Sequence, residues 1–431
     1  MSRVTSFPYA EVQFTKAGQI FVPDEERLLV KLIEDQKLTD LIVISHGWNN
    51  DLPYARGLYK AILDDQVRPL LDARSGDFAG RRFGVLGIFW PSIRFAKDDA
   101  IAGGGASLTD AAGDAALQAK IDDLRAVLTD AEDQTLLDGL QSKLADLAKP
   151  AAQTDFVELN RKLIQRHPSS EQQEDGSHDV LPQGRELLNK LSGRTLRPAA
   201  DEGGAAAVGG GGGGGSLFSR IKRGASNLLN YTTYYRMKER AGVVGVEGVA
   251  PLLQRLTSRF DQLRLHLDGH SFGGRLVTAV ASQMPNNGQR VRTLLLLQAA
   301  FSHNGFAQKF DGARDGFFRQ VVSGEKINGP ILITHTRKDK AVGLAYAIAS
   351  RAAGTNAEAV GDKNDPYGGI GSNGAQKTPE ADNSLPLHDT REYDFAPHKL
   401  YNLLADDFID GHSAITNKAV ANVLLWGVSP K

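Results

Sequence analysis

The chain runs to 431 residues, enough for one large domain with an insertion or for two or three average ones. Its 50 basic residues stand against 51 acidic ones, a net charge of −1, so no bulk field favours nucleic acid or an anionic membrane. With 41% apolar and 23% charged residues it fits a soluble globular class, and its complete lack of cysteine excludes disulfides, thiolate metal sites and a cysteine nucleophile.

In chain order, MSRVTSFPYAEVQF lacks the basic-then-apolar run of a secretory signal, and no apolar run approaches the length of a spanning helix. The expected location is the cytoplasm, though export by a route that reads no N-terminal signal stays compatible. Leu28, Val30, Leu32 and Ile33 form a helical pattern. Two strand-sized apolar runs follow, 41–45 (LIVIS) and 83–89 (FGVLGIF). Residues 93–242 then break the rhythm and read as one insertion. It opens on the Gly103–Gly105 turn and continues as a helical hairpin, with Leu117, Ile121, Leu124 and Leu128, then Leu136, Leu137, Leu140, Leu144 and Leu147 at helical spacing. A polar segment (168–179) and a glycine-rich run (203–215) come next. Further strand-like runs are 263–267 (LRLHL), 291–297 (VRTLLLL), 331–334 (ILIT) and, more weakly, 399–404 (KLYNLL). Leu276, Val277, Val280 and Ala281 mark a helix between the first two of these, residues 361–385 read as a long loop, and 417–425 as a last helix. Alternating strands and helices predict an α/β architecture: a mostly parallel central sheet with helices on both faces, built from 1–92 and 243–431, plus a mainly helical insertion at 93–242.

The chemistry-bearing residues cluster at strand ends. Gly269-His270-Ser271-Phe272-Gly273 follows a strand and opens a helix, the context in which a G-x-S-x-G turn exposes a serine nucleophile. Such a tight turn needs neighbours with little or no side chain. The plainer reading of the same residues is a Gly/Ser turn. His46-Gly47-Trp48-Asn49-Asn50 follows LIVIS. Its Trp48 N–H, with that of Phe272, is the natural pair of donors for a developing oxyanion, and His46 and Gly47 support the loop; read alone, it is a strand-end turn. Asp339, in the loop after ILIT, stands where a histidine-orienting carboxylate belongs. Flanking Arg337, Lys338 and Lys340 would otherwise make it a surface ion pair, and Asp362 and Asp365 are alternatives. A base that follows the acid leaves His388, His398 and His412, of which His412 lies in the loop just past the last strand-like run. No H-E-x-x-H or similar spacing suggests a metal, and no cofactor is expected.

The order Ser271, Asp339, His412 is that of α/β-hydrolases. Over roughly residues 38–92 and 231–425 the chain resembles that superfamily, and within it a bacterial DUF900-type group of uncharacterised hydrolase-like proteins. HGWNN, the FWPS of 89–92, GHSFGGR, RKDKAVGLA and the late GHS carry the resemblance. It implies the α/β-hydrolase fold and a triad of Ser271, Asp339 and His412, and it implies no substrate. The expected activity is hydrolysis of small or lipid-like carboxylic esters through an acyl-enzyme. Thioester, amide or acyl-transfer chemistry on the same triad, and a non-catalytic interaction role, are the alternatives. Residues 217–235 of the insertion, basic and aromatic, read as a lid or a lipid-surface contact, or simply as a helix whose apolar face packs inward.

Overall fold

The six apolar runs become strands, and every ladder between them is parallel. The structure, a computed structural model, describes residues 4–48, 50–92, 110–166, 184–192, 217–285, 291–339, 342 and 367–429. Its strands are β1 (Tyr9–Gln13), β2 (Asp40–Ser45), β3 (Phe83–Phe89), β4 (Arg264–His270), β5 (Val291–Leu297), β6 (Ile331–His335), β7 (Ala381–Asp382) and β8 (Leu400–Leu404). They form one eight-stranded sheet in the order β1-β3-β2-β4-β5-β6-β8-β7. All of its pairings run parallel.

Burial of every residue along β2 and β3 shows that both faces of the sheet are covered, as a parallel sheet requires. Ile42, Ile44, Leu295, Leu332 and Leu403 share one core with Leu58, Tyr59 and Ile62 of the helix Leu52–Ile62 and with Val420, Val423 and Leu424 of the helix Lys418–Val428. Leu41, Val43, Leu267, Leu294, Leu296 and Ile333 alternate with these along the strands, so they point to the opposite face, and they too are buried. The helix Phe272–Gln283, buried along nearly its whole length, packs on β4, β5 and β2.

Two strands were not foreseen. Only Val12 of β1 is buried, because this edge strand is held by its backbone pairing to β3 and carries no continuous apolar run. In β7 only two residues pair. The stretch expected as a loop at 361–385 contains that strand and a short helix, Ile370–Asn373; its residues 361–366 lie outside the described ones.

The contacts divide the chain into two units, one of Met1–Ser92, Lys238–Val342 and Gly368–Lys431 and one of Ile93–Met237 and Gly343–Tyr367. The first holds the sheet. In the second, the expected hairpin is three helices, Asp110–Val127, Ala131–Lys143 and Pro150–Arg166, the last built on Phe156, Val157, Leu163 and Ile164. A further helix, Leu217–Val243, extends past the boundary at Met237. Its Ile221, Leu228, Leu229, Tyr231, Tyr234 and Tyr235 are all buried. The Gly103–Gly105 turn, the polar segment 168–179 and the glycine run 203–215 lie outside the described residues. Among the described residues no helix is long and apolar enough to cross a membrane.

Candidate active site

A parallel sheet sends the loops after all its strands to one edge. β2 and β4 lie side by side, but the chain leaves β2 towards β3 on one side and leaves β4 towards β5 on the other. The loops after β2 and β4 therefore diverge, and the crevice at such a switch point is where open α/β sheets hold ligands. His46-Gly47-Trp48 follows β2 and Ser271 follows β4, with Ser45 and Gly269 in register.

Ser271 adopts φ 57° and ψ −122°, a left-handed conformation outside the ordinary range for a residue with a side chain, which costs about 1–3 kcal/mol. The surrounding glycines allow it by close approach. A Cβ at Gly269 would lie 2.4 Å from the Gly273 carbonyl oxygen, and one at Gly273 would lie 2.2 Å from that of Ser45. At Gly47 an added Cβ would come 2.7 Å from Ser271 Cβ and 3.2 Å from its Oγ. The turn is fastened by hydrogen bonds from Ser271 N–H to the Leu297 carbonyl (3.1 Å) and from Ala300 N–H to the Ser271 carbonyl (3.0 Å).

Residues 271, 339 and 412, far apart in sequence, meet here. Ser271 Oγ lies 2.7 Å from His412 Nε2, and His412 Nδ1 lies 2.8 Å from Asp339 Oδ2. A carboxylate accepts only, so Nδ1–H donates to it and Nε2 is left to accept the serine proton. The Asp339 side chain is wholly buried, the His412 ring is 11% exposed, and Val342 N–H donates to the other carboxylate oxygen at 3.0 Å. The surface-pair reading of Asp339 fails on its neighbours: Arg337 pairs with Asp406 and Lys338 with Asp410. Those two pairs also tie the loop after β6 to the loop after β8, which carries His412. Lys340, Asp362 and Asp365 lie outside the described residues.

The other candidate histidines are elsewhere. His388 is exposed beside Asp389. His398 precedes β8, with its N–H on the Gly329 carbonyl, at the opposite edge of the sheet. His270 does more than support the elbow: its Nε2–H donates to the His412 main-chain carbonyl at 2.9 Å, and the two rings lie 4.9 Å apart. Burial pushes His270 down to about 3, helped by the neighbouring His412, so it stays neutral in this role. His46 is likewise lowered by burial to about 4, against the opposing hydrogen bond of its Nδ1–H to the Gly47 carbonyl.

The two residues expected to supply oxyanion donors stand together, with the Trp48 and Phe272 rings 5.7 Å apart. Phe272 is also the first residue of its helix, where backbone N–H groups favour developing negative charge. Asn49 lies outside the described residues. Sequence reasoning gave no role to Tyr59, Trp90 or Ser92, whose polar atoms all bond the main chain of the His46–Asn50 loop. The signal for two of them was present in FWPS. Among the described residues no group of three or more acidic or histidine side chains is arranged to hold a metal ion. Comparison of the chain with protein-family models, curated proteins and solved structures finds no match.

Proposed function

We propose that this chain is a serine hydrolase of the α/β-hydrolase type, related to the DUF900-like group its motifs resemble, that cleaves carboxylic esters. One observation carries the reading: the hydrogen-bonded line from Ser271 Oγ through His412 to the buried Asp339 carboxylate, at 2.7 and 2.8 Å. His412 takes the proton of Ser271 as the hydroxyl attacks the ester carbonyl. Asp339 fixes the imidazole tautomer and stabilises its charged form. The N–H groups of Trp48 and Phe272 receive the oxyanion. His412 then protonates the departing alkoxide and activates the water that releases the acid from Ser271. That Ser271, Asp339 and His412 lie in loops at the same edge of one parallel sheet supports this reading.

The test is hydrolysis of a p-nitrophenyl ester series. Wild-type protein is expected to turn over and Ser271→Ala to lose at least roughly 10³-fold in kcat, since removing the nucleophile leaves only the oxyanion and binding contributions. Equal rates in the two proteins would overturn the proposal.

A further inference from the structure

The FWPS segment ends β3, yet its side chains turn to the neighbouring loop. Trp90 Nε1–H donates to the His46 main-chain carbonyl at 3.1 Å. Ser92 Oγ bridges Asn50 from both sides, accepting its N–H at 3.2 Å and donating to its carbonyl at 2.8 Å. From the next helix, Tyr59 Oη accepts the His46 N–H at 2.8 Å and donates to the Ile88 carbonyl at 2.7 Å, tying the loop to β3. The Trp90 and His46 rings stack at 5.7 Å, 9° from parallel. The loop also bonds itself, since the Gly47 carbonyl accepts from His46 Nδ1–H (2.8 Å) and Asn50 Nδ2–H (3.4 Å).

These anchors bracket the short segment that carries Trp48. The main chain is pinned before Trp48 at both polar groups of His46 and after it at both polar groups of Asn50. Strands β2 and β3 are adjacent, with Ser45 opposite Ile88, so the end of β3 is the nearest rigid support for this loop. An oxyanion donor works only if its N–H is already aimed before charge develops, and a displacement of about 1 Å can cost roughly 100-fold in rate. A loop joined only through its own covalent chain would lack that preorganisation.

We propose that Trp90 and Ser92 are positioning residues for the oxyanion loop: with Tyr59 they hold the His46–Asn50 main chain so that the Trp48 N–H faces the site above Ser271. This rests on the serine-hydrolase reading, because it concerns the donor which that reading assigns to Trp48. None of the three side chains contacts a reacting atom. Their effect appears in the transition state, and they leave the Ser271–His412–Asp339 line untouched.

The experiment measures Ser92→Ala, Ser92→Thr and Trp90→Phe for ester kcat and KM and for inhibition by a trifluoromethyl ketone, whose serine adduct places an alkoxide in the oxyanion site. For Ser92→Ala and Trp90→Phe, kcat should fall roughly ten- to a hundredfold with KM within about twofold, and the ketone should weaken by a similar factor. Ser92→Thr, which keeps the hydroxyl, should recover most of the rate. Melting temperatures measured alongside separate this from general loosening, which would not track the ketone. Ketone affinity unchanged in both loss variants, or a loss confined to KM, would overturn the inference while leaving the hydrolase reading intact. A wild-type protein with neither turnover nor ketone inhibition would remove the hydrolase reading and this inference with it.

Discussion

At Gly47 the fold and the proposed chemistry make the same demand. The residue lets the loop after β2 lie against Ser271, and even one methyl group would press on both the Cβ and the Oγ of that serine. The Ser271 main chain, bonded to Leu297 and Ala300, resists a shift of Cβ, so the strain falls on the placement of Oγ. Gly47→Ala is therefore expected to lower kcat by about 100-fold or more by displacing the nucleophile from His412. Retained activity, measured on the p-nitrophenyl ester series, would contradict this account of the turn. The sequence motif announced that small residues were needed here. It did not reveal which partner each glycine approaches, since Gly273 meets the backbone of Ser45 and His46, more than 220 residues away in the chain, and Gly274 meets Ala299.

Among the elements, legibility followed apolar content. The buried central strands β2, β3 and β5 are nearly continuous apolar runs, and their sequence boundaries are close to the structural ones. β4 is harder to read because its second half is Asp268-Gly269-His270, polar residues that a burial pattern would assign to a turn; the pairings to β2 and β5 carry the strand through to His270. β1 was hidden for the opposite reason, being half-exposed at an edge. The loops were the least legible. Asp339 and His412 could be placed by chain order, but the pairs that bring their loops together, Arg337 with Asp406 and Lys338 with Asp410, depend on β6 and β8 being neighbours, a matter of topology. At the foot of the sheet, Asp40 is wholly buried and bonded to Arg81, Arg264 and His266. Burial works to raise its pKa, and the hydrogen bonds from His266, Arg81 and Arg264 outweigh it, holding the carboxyl well below its usual range. Nothing in the local sequence around Asp40 indicates partners that arrive from β4 and from the turn before β3.

For the whole molecule, buried titratable groups of β4 and of the loop after β2 shape stability against pH. Asp268 is buried with its Oδ2 unbonded among the described residues, and burial raises its carboxyl to about 8 from 3.8. Between those values the unfolded chain is ionised there while the folded chain keeps its proton. The group thus costs nothing near pH 4, and its cost grows as pH rises towards 8. His46 and His270 act in the other direction: each stays neutral when folded, and stability is lost as pH falls from 6.5 towards about 4 and 3 respectively. Asp268→Asn, close in shape and uncharged, should therefore raise the melting temperature at pH 8 by several degrees, with the gain shrinking towards pH 4. Thermal unfolding of both proteins across that range checks this, and a difference independent of pH would contradict it.

The central claim, that Ser271, His412 and Asp339 act as one catalytic unit, is tested most directly by peptide mass mapping after treatment with a fluorophosphonate. The predicted result is a single covalent adduct on the peptide containing Ser271 in the wild type, and its loss in His412→Ala, where no base remains to take the hydroxyl proton. An adduct on another residue, or undiminished labelling of Ser271 without His412, would contradict it.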